Sequence, residues 1–421
     1  MTKHVIIGDG IAGATAAETL RDESDSDEIT VITNEGEPLY NRINIKEYAK
    51  GKMPEEHIKM HDEKWYEDRD IELKLNTLVR TIKNKEKKVV LHNGNEIEYD
   101  KLLVAAGGTP RSLPVPQSDA DGIHEFWTFG NARQIRRVEE RAESGIVIGA
   151  GLLGIDFAYA LGENDVEGKY LMRGNRWWRY GLDKEGADMI HDELRSIGVE
   201  PVFGEGVERF ETNRLGRVKR CVGTTGTVYS CDMAGVCIGL NLNTQIVRGT
   251  GIETNVGIVT DETLQTKDPD IYVAGDITEY YDVILQEYNV NGSWDSAKTQ
   301  GQVAAMNMSN PDDPQEFKMV PKYSVSHFSI PFISLGHPTV GEEYASRKYG
   351  EKEYRRLAFK DGKLVGAVLI GNVRVIGQLT KVIQERMDAI NLKEQLLEEQ
   401  INLGSMLDLL RGQRQETPSR Y

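Results

Sequence analysis

The 421 residues are too many for one ordinary hydrophobic core, so we expect two or three domains. The hydrophobic fraction of 39% and the charged fraction of 28% are typical of a soluble globular protein. The formal net charge of −16 argues against a general nucleic-acid binder and against a protein that binds anionic membranes.

The first predicted elements flank a glycine-rich turn. The stretch VIIGDGIAGATAAETL begins at Val5 and joins a β-branched run to glycines spaced G-x-G-x-x-G and then to an alanine-rich run. It predicts a strand over residues 3–7, a helix over 12–20 and a strand over 28–32, and this order implies a parallel sheet. The first strand begins early and no apolar run is long enough to cross a bilayer. We therefore expect no leader, no membrane span and a cytoplasmic location.

Short strands and a linker follow the first motif. We predict strands over residues 88–91, 96–99 and 101–104, separated by turns. Residues 108–119, GTPRSLPVPQSD, are rich in Pro, Ser and Gly, which is typical of a linker.

A second copy of the strand–glycine–helix pattern follows this linker. The stretch IVIGAGLLGIDFAYAL begins at Ile146. It predicts a strand over residues 145–148, a helix over 152–161 and a strand over 169–172. A repeat of one supersecondary unit suggests duplicated dinucleotide-binding domains.

The glycines of both turns suit a bound pyrophosphate. The first glycine permits the tight turn, the second lets the backbone approach a pyrophosphate, and the third lets helix pack on strand. The positive N-terminus of the helix then faces the phosphates. One such turn can occur without a ligand, but two copies, each between a strand and a helix, favour two dinucleotide sites. The glycines are Gly8, Gly10 and Gly13 in the first turn and Gly149, Gly151 and Gly154 in the second.

The residue that follows the second strand is acidic in the first motif and basic in the second. In dinucleotide-binding units an acid at this position holds a ribose diol. Glu35 occupies it in the first motif and fits an adenosine ribose without a 2′-phosphate. Arg173 stands at the matching place in the second motif, with Arg176 and Arg179 nearby. An arginine could pair with the 2′-phosphate of NADP. The alternative for Arg173 is a surface charge without a ligand.

The three cysteines predict neither a disulfide scaffold nor a zinc site. Cys221, Cys231 and Cys237 are few and close together, and no pair has C-x-x-C spacing. We expect them to be small buried residues, and we expect no metal centre.

The pattern becomes antiparallel after a second boundary at residues 310–315, NPDDPQ. The stretch EYRRLAFKDGKLVGAVLIG predicts a hairpin with its turn at Asp361–Gly362. A long, charge-mixed helical tail is predicted from about Ile376, with a break at residues 403–405.

Four further motifs extend the pattern in order: EPLYNRINI from Glu37, LLVAAGGTPR from Leu102, IYVAGD from Ile271 and GSWDSAKTQGQVAAMNM from Gly292. With the two glycine turns they resemble pyridine nucleotide–disulfide oxidoreductase-like flavoproteins. The resemblance covers residues 1 to about 390. It is greatest to the branch that holds rubredoxin and ferredoxin reductases, apoptosis-inducing factor and the flavin part of NADH-dependent nitrite reductase.

The resemblance implies an α/β fold with two Rossmann-like, glutathione-reductase-like dinucleotide-binding domains and a C-terminal α+β domain. The first domain would bind FAD and the second NADH or NADPH, because a reduced nicotinamide must lie against an isoalloxazine. The implied bounds are 1–112 and 241–315 for the FAD domain, 113–240 for the NAD(P) domain, 316–391 for the C-terminal domain and 392–421 for a helical tail.

The resemblance also implies a set of cofactor-binding residues. Asp276 would accept hydrogen bonds from ribitol hydroxyls, and Arg42 would neutralise an FAD phosphate or support the flavin. The alternative for Arg42 is a surface position. The helix that begins at Trp294 would stabilise negative charge at flavin O2. The full set is Gly8, Gly10, Ile11, Ala12, Gly13, Glu35, Arg42, Lys46, Val79, Ala106, Gly107, Gly149, Gly151, Leu152, Leu153, Gly154, Arg173, Arg176, Gly239, Gly275, Asp276, Trp294 and Ala297.

Two residues carry implied catalytic roles. Lys46 lies near the place where the rubredoxin-reductase branch has a lysine beside flavin N5. In this sequence the lysine is one residue closer to Arg42 than in that branch. The nitrite-reductase-like branch has a serine at the aligned position. Asp156 matches an acid that approaches the nicotinamide carboxamide, although family members more often have Glu. Leu242 replaces the usual proline in the loop that returns to the flavin.

The flavin-lining stretch YNRINIKEYAKG has no cysteine, so a thiolate relay is not expected there. We therefore expect electrons to pass from FAD to an external acceptor, a small redox protein such as a ferredoxin or rubredoxin. One alternative is an oxidase or diaphorase that uses oxygen or quinones. Another is a non-catalytic flavoprotein subunit that docks within a larger complex through the tail LKEQLLEEQINLGSMLDLLRG. The sequence leaves the oligomeric state open, with a homodimer as one alternative. The simpler interpretation of that tail is an amphipathic helix folded back on its own domain.

A basic stretch suggests where an acidic acceptor docks. Residues 346–363 carry seven Lys and Arg against three Asp and Glu in an acidic chain. A local positive patch could steer an acidic partner, and we expect Arg355 and Arg356 to take part. The alternative is a solvated hairpin whose lysines alternate outward.

Overall fold

The computed structural model describes residues 1–139, 141–325, 328–402 and 404. The described chain forms two compact units. The first contains Met1–Arg111, Trp127–Arg136 and Gly239–Lys318. The second contains Ser112–Phe126, the described part of Arg137–Ile238, and the described residues from Met319 onward.

The helices and strands are numbered in chain order. The described helices are α1 (Ile11–Glu23), α2 (Ile45–Ala49), α3 (Glu63–Glu67), α4 (Phe129–Glu139), α5 (Leu152–Glu163), α6 (Lys184–Ser196), α7 (Trp294–Ser309), α8 (Ile376–Gln384) and α9 (Lys393–Leu396). The described strands are β1 (Lys3–Ile7), β2 (Glu28–Ile32), β3 (Ile71–Lys74), β4 (Val79–Lys83), β5 (Lys88–Leu91), β6 (Glu96–Glu98), β7 (Lys101–Val104), β8 (Gly108–Pro110), β9 (Ile123–His124), β10 (Ser144–Gly149), β11 (Glu167–Met172), β12 (Val199–Phe203), β13 (Val207–Thr212), β14 (Val218–Gly223), β15 (Val228–Ser230), β16 (Met233–Cys237), β17 (Leu240–Leu242), β18 (Ile258–Thr260), β19 (Ile271–Val273), β20 (Thr278–Asp282), β21 (Glu287–Val290), β22 (Lys322–Val325), β23 (Phe332–Gly336), β24 (Glu343–Tyr349), β25 (Glu353–Lys360) and β26 (Lys363–Ile370).

A five-stranded parallel sheet forms the centre of the first unit, in the order β19-β7-β1-β2-β3. Its β-branched strands are buried, and Ile7 lies opposite both Ile32 and Val104. Parallel strands of this kind read as continuous apolar runs because helices cover both faces of the sheet. The carboxyl ends of these strands meet at one edge, where ligands bind in open α/β sheets.

The first motif folds as the sequence predicts. The strands over residues 3–7, 28–32, 88–91 and 101–104 have the predicted bounds. The helix is longer than expected, because α1 starts directly after Gly10 and continues to Glu23. The linker prediction is only partly right, since residues 108–110 pair with β17 as a short antiparallel ribbon.

One segment departs from the implied boundary of the second domain, which placed all of residues 113–240 in one body. Trp127–Arg136 belong to the first unit. There Phe129 is buried and packs edge-on to Tyr48 at a centroid distance of 5.0 Å, and Arg133 donates to Glu55. These long-range contacts, which no local pattern announces, hold the start of α4 on the first unit.

The second unit has its own parallel sheet, in the order β12-β11-β10-β16-β9. The predicted second βαβ unit is confirmed as β10, α5 and β11. An antiparallel three-stranded sheet, β13-β14-β15, packs its buried residues Phe210 and Cys221 into the same core as Ile146 and Leu171.

The C-terminal part of the second unit is an antiparallel sheet in the order β22-β23-β26-β25-β24. The predicted hairpin is confirmed as β25 and β26, which turn at Asp361–Gly362. The predicted long helix from Ile376 is wrong for its described part, because α8 ends at Gln384 and short turns lead to α9. Except for Gly404, the predicted break at residues 403–405 and the tail beyond it lie outside the described residues.

Candidate functional site: two dinucleotide cradles

The first glycine loop has the shape that a pyrophosphate requires. Gly8 has φ +111°, and a Cβ there would lie 2.2 Å from the Ala105 carbonyl oxygen. A Cβ on Gly13 would lie 1.9 Å from the Gly8 oxygen, so both positions exclude a side chain. A Cβ on Gly10, which caps α1, would meet nothing within 4 Å. The loop is thus closed on the protein side and open at its middle glycine, as a bound pyrophosphate needs.

Other predicted residues meet this loop at the carboxyl edge of the first sheet. Ala106 and Gly107 follow β7, and Gly275 follows β19. Ala12 lies against Gly275, where an added Cβ would be 3.3 Å from the Ala12 methyl. Ile11 begins α1 and is partly exposed. Because a Cβ on Gly8 would also lie 3.3 Å from the Ala106 nitrogen, the ends of β7 and β19 both lie close to the first βα unit.

Helix α7 is positioned by Gln300, a residue that was not predicted from the sequence. Gln300 is fully buried, and its Oε1 accepts a hydrogen bond from the Gly275 N–H at 2.7 Å. Gly301 lets α7 approach α1, because a Cβ there would lie 2.1 Å from the Ala12 oxygen. The helix begins with Trp294, and the predicted residue Ala297 is buried on its first turn.

Asp276 follows Gly275 and is partly exposed. Burial of its carboxyl raises the pKa to about 6, and the nearby Arg42 guanidinium opposes that rise. A carboxyl at this edge can accept hydrogen bonds from sugar-alcohol hydroxyls once it is charged.

Glu35 and Arg42 form one hydrogen-bonded group. The Arg42 guanidinium donates to Glu35 Oε1 at 2.7 Å and to the Trp127 carbonyl at 2.6 Å. Tyr40 O–H donates to Glu35 Oε2 at 2.6 Å. The guanidinium lies 5.1 Å from the ring centroids of both Tyr40 and Trp127. Glu35 and Arg42 were predicted from the sequence, whereas Tyr40 and Trp127 were not, because these two lie 87 positions apart in the chain.

The remaining predicted residues of the first unit take different positions. Val79 lies in β4, and its side chain belongs to the hydrophobic core. Gly107 and Gly239 have positive φ values of +54° and +94°. Asn243, which was not predicted, fixes this region by donating to the Ala106 carbonyl at 2.8 Å.

Lys46 is buried in the short helix α2. The sequence did not show that Lys50, one turn later, is buried as well and pairs with Glu47 at 2.9 Å. Lys46 and Glu47 therefore lie in α2 and Lys50 caps its C-terminus, all within the stretch that is predicted to line the flavin.

The second glycine loop repeats the geometry of the first. Gly149 has φ +144°, and a Cβ there would lie 2.2 Å from the Cys237 oxygen. A Cβ on Gly154 would lie 1.9 Å from the Tyr170 hydroxyl, whereas one on Gly151 would meet nothing within 4 Å. The predicted residues Leu152 and Leu153 begin α5 and are partly exposed. This loop too is closed behind and open at its middle glycine.

Residues 174–181, here called the tryptophan loop, are attached to the second glycine loop. Trp177 Nε1 donates to the Gly151 carbonyl at 3.2 Å, and Trp178 N–H donates to the Ala150 carbonyl at 3.0 Å. Tyr170 O–H also donates to the Gly151 carbonyl, at 3.2 Å. Trp178 has φ +44°, a strained conformation for a bulky residue. Buried Trp177 thus fixes the shape of the loop that carries Arg176 and Arg179 and directly follows Arg173.

The two predicted arginines differ in their surroundings. The Arg176 guanidinium donates to the Leu182 carbonyl at 2.9 Å and to the Arg179 carbonyl at 3.0 Å. Arg173 is exposed and has no side-chain hydrogen bond or ion pair among the described residues. Arg176 shapes the tryptophan loop, and Arg173 leaves its guanidinium open to a ligand.

Asp156 lies on the first turns of α5, close to groups from other parts of the second unit. Burial raises the pKa of the Cys237 thiol to about 12, and the Asp156 carboxylate adds to that rise. The same carboxylate contributes to the raised pKa of Tyr323 on β22, for which burial is the larger cause. Tyr323 was not predicted, because β22 follows Asp156 by more than 160 residues.

The expectation that Arg355 and Arg356 form an acceptor-docking surface is wrong. Arg355 is 2% exposed and donates to the Leu396 carbonyl at 2.5 Å, while Arg356 is 9% exposed and donates to the Gly181 carbonyl at 2.7 Å. The prediction rested on local positive charge, which does not show that long arginine side chains can instead be buried and donate to backbone carbonyls. Arg356 instead joins β25 to the tryptophan loop.

The three cysteines are buried free thiols, as the sequence predicts. Burial raises the pKa of Cys221 to about 12 and moves the pKa of Cys231 well above its ordinary value. A thiol in such surroundings is a poor nucleophile.

Two strand–glycine loop–helix units, each open at its middle glycine, define a protein that holds two dinucleotides. A model of the family "Pyridine nucleotide-disulphide oxidoreductase" matches residues 2–301, and one of the "Rubredoxin NAD+ reductase C-terminal domain" matches residues 324–387. The chain belongs to the pyridine nucleotide-disulphide oxidoreductase family. Its predicted fold class, and FAD and NAD(P)H as its cofactors, are thereby confirmed.

Known relatives extend the similarity over nearly the whole chain. It is 25% identical over 402 residues to the assimilatory nitrate reductase electron transfer subunit of Bacillus subtilis, covering 94% of this chain and 51% of that protein. It is 26% identical over 392 residues to the NADH-rubredoxin oxidoreductase of Clostridium acetobutylicum, covering 93% of this chain and 97% of that protein. The chain thus spans about half the length of the first relative.

A solved structure has the same fold. A chain of the covalent putidaredoxin reductase–putidaredoxin complex superposes with a TM-score of 0.90, covering 97% of this chain and 99% of that chain at 22% identity. Among the described residues, every helix is too short or too polar to cross a bilayer.

Proposed function

We propose that the protein is an FAD-dependent NAD(P)H oxidoreductase that passes electrons to a small redox protein. The observation that carries the proposal is the pair of glycine loops, each closed behind and open at Gly10 or Gly151. One loop would hold the FAD pyrophosphate and the other that of NAD(P)H. FAD, when bound, accepts a hydride from the nicotinamide and can release the electrons one at a time.

The residues of the first unit have three tasks in this proposal. The open backbone at Gly10 and the N-terminus of α1 attract the pyrophosphate. The group of Glu35, Arg42 and Tyr40 fixes the segment that follows β2, with Glu35 towards the ribose. Asp276 accepts hydrogen bonds from ribitol, and α7 directs its positive end to the flavin.

The residues of the second unit bind and orient the nicotinamide nucleotide. Gly151 and α5 hold its pyrophosphate, and exposed Arg173 meets the 2′-phosphate if the nucleotide is NADPH. Asp156 holds the carboxamide. We assign Arg176 to the shape of the tryptophan loop, since loop carbonyls engage its guanidinium.

A protein acceptor is supported by the sequence of the C-terminal domain and by the cysteines. The domain matches that of rubredoxin NAD+ reductase, and one relative over nearly its full length is an NADH-rubredoxin oxidoreductase. All three thiols are buried in the second unit, whereas the stretch that is predicted to line the flavin belongs to the first. That stretch therefore has no cysteine for a relay, and bound FAD would supply electrons to the acceptor without one.

The test is steady-state oxidation of NADH or NADPH with oxygen alone and with added ferredoxins and rubredoxins. We expect at least one such protein to raise turnover well above the oxygen background. Turnover that oxygen or quinones support equally well without a protein acceptor would contradict the proposal and favour the oxidase or diaphorase alternative. Activity that appears only in a larger complex would favour the docked-subunit alternative, which the half-length match to the nitrate reductase subunit also raises.

The cytoplasmic location expected from the sequence also remains a proposal. Cell fractionation with an antibody against the chain tests it, and recovery in the membrane or extracellular fraction would contradict it.

A further inference from the structure

An acidic residue occupies the first pyrophosphate loop. Asp9 stands between Gly8 and Gly10 and is 8% exposed. Tyr66 O–H, itself fully buried, donates to Asp9 Oδ1 at 2.6 Å. Asp9 Oδ2 is buried and has no hydrogen-bond partner among the described residues. The glycine pattern needs no acid at this position, and the second loop has Ala150 there.

A charged carboxylate at Asp9 conflicts with the ligand of this loop. A dinucleotide pyrophosphate carries two negative charges and binds where the backbone is open, next to Asp9. Repulsion between like charges is strong in a buried site and favours the neutral acid. The neutral acid carries its proton on one oxygen, and Oδ2 is the oxygen that Tyr66 leaves free.

The surroundings of Asp9 already favour that proton. Burial raises the pKa of Asp9 to about 7, and the Glu35 carboxylate, in the segment after β2, adds to the rise. The Tyr66 hydroxyl on α3 and the backbone N–H of Leu39 act in the opposite direction. Among the described residues, these groups of α3 and of the segment after β2 have the largest effects on the Asp9 carboxyl. The acid is therefore partly protonated near neutral pH before a ligand adds its charge.

We propose that FAD binding takes up one proton from solvent onto Asp9, so that the neutral carboxyl becomes part of the FAD site. The inference rests on the proposed placement of FAD at the first glycine loop. By linkage, an anion that favours the protonated acid binds best when the acid already holds its proton. FAD affinity is then constant below about pH 7 and falls as pH rises above it, approaching tenfold per pH unit for one linked proton.

The test measures FAD dissociation constants by flavin fluorescence on the full-length chain after flavin removal, from pH 6 to pH 8.5. We compare the wild type with Asp9→Asn, which is neutral at every pH, and with Asp22→Asn. Asp22 is an exposed carboxylate near the other end of α1 and supplies a matched loss of charge. At the alkaline end, the FAD affinity of the wild type and of Asp22→Asn should fall about tenfold per pH unit. The FAD affinity of Asp9→Asn should change by less than about twofold over the same range.

A wild type whose affinity is independent of pH, or an Asp9→Asn variant as steep as the wild type, would overturn the proposal. If Asp9→Asn does not fold, calorimetry of FAD binding to the wild type at pH 8 in two buffers of different ionisation enthalpy gives the same answer. Uptake approaching one proton supports the proposal, and uptake of none refutes it. A chain that binds no FAD at any pH would instead refute the proposed function.

Discussion

At the scale of single residues, Arg42 holds together the part of the first cradle that follows β2. The sequence alone allowed a surface position for this residue. One guanidinium bridges Glu35 to the Trp127 carbonyl, which lies far along the chain. Planar, two-point donation of this kind is a property of arginine that lysine does not share. Arg42 therefore fixes Glu35, the acid that we propose to face the ribose.

We predict that Arg42→Lys will weaken FAD binding by at least tenfold. A hydrogen bond to a charged group contributes about 1.5–3 kcal/mol, and lysine can keep only one of the two. Flavin fluorescence measures the dissociation constant, with Arg80→Lys on the exposed face of β4 as the control. Affinity equal to the wild type would show that Arg42 does not organise the site.

A second prediction at this scale concerns Arg173 and the preference for NADPH over NADH. We predict that Arg173→Ala will raise KM for NADPH by about 10-fold or more and leave KM for NADH unchanged, because one phosphate pairing is lost. Arg214→Ala, at an exposed turn of the same unit, is the control. Equal effects on both nucleotides would contradict a 2′-phosphate contact and leave Arg173 as a surface charge.

At the scale of elements, local patterns predicted the parts of the molecule that local chemistry determines. The strand over residues 3–7 and the hairpin at Asp361–Gly362 follow from β-branched runs and turn residues. Gln300, Tyr323 and Trp127 could not be found in this way, because each acts on a residue distant in sequence. The same holds for Arg356, whose burial against the Gly181 carbonyl defeats a prediction based on charge alone.

The tryptophan loop is hydrogen-bonded to the second glycine loop, a connection that the sequence did not predict. We predict that Trp177→Phe will raise KM for NADH and NADPH together by about fivefold, since it loses the hydrogen bond of about 1 kcal/mol to Gly151. FAD content should not change, because the loop and the first glycine loop belong to different units. Trp65→Phe, in the first unit, is the control. Unchanged KM values in Trp177→Phe would contradict a role in nucleotide binding.

At the scale of the whole molecule, electron flow should be independent of thiols. We predict that alkylation of the native protein will be slow, because burial raises the pKa of the cysteine thiols. Flavin reduction by the nucleotide should continue at its original rate after treatment. Loss of reduction in protein that stays folded and keeps its FAD would reveal a cysteine step that this account lacks.

The central claim is that one chain binds both dinucleotides and transfers a hydride between them. An anaerobic titration of the FAD-loaded protein with NADH and NADPH in parallel tests it most directly. The flavin absorbance band should bleach within seconds to minutes with at least one of the two nucleotides, with about one equivalent sufficient for full reduction. A flavin that stays oxidised with an excess of both nucleotides would contradict the account.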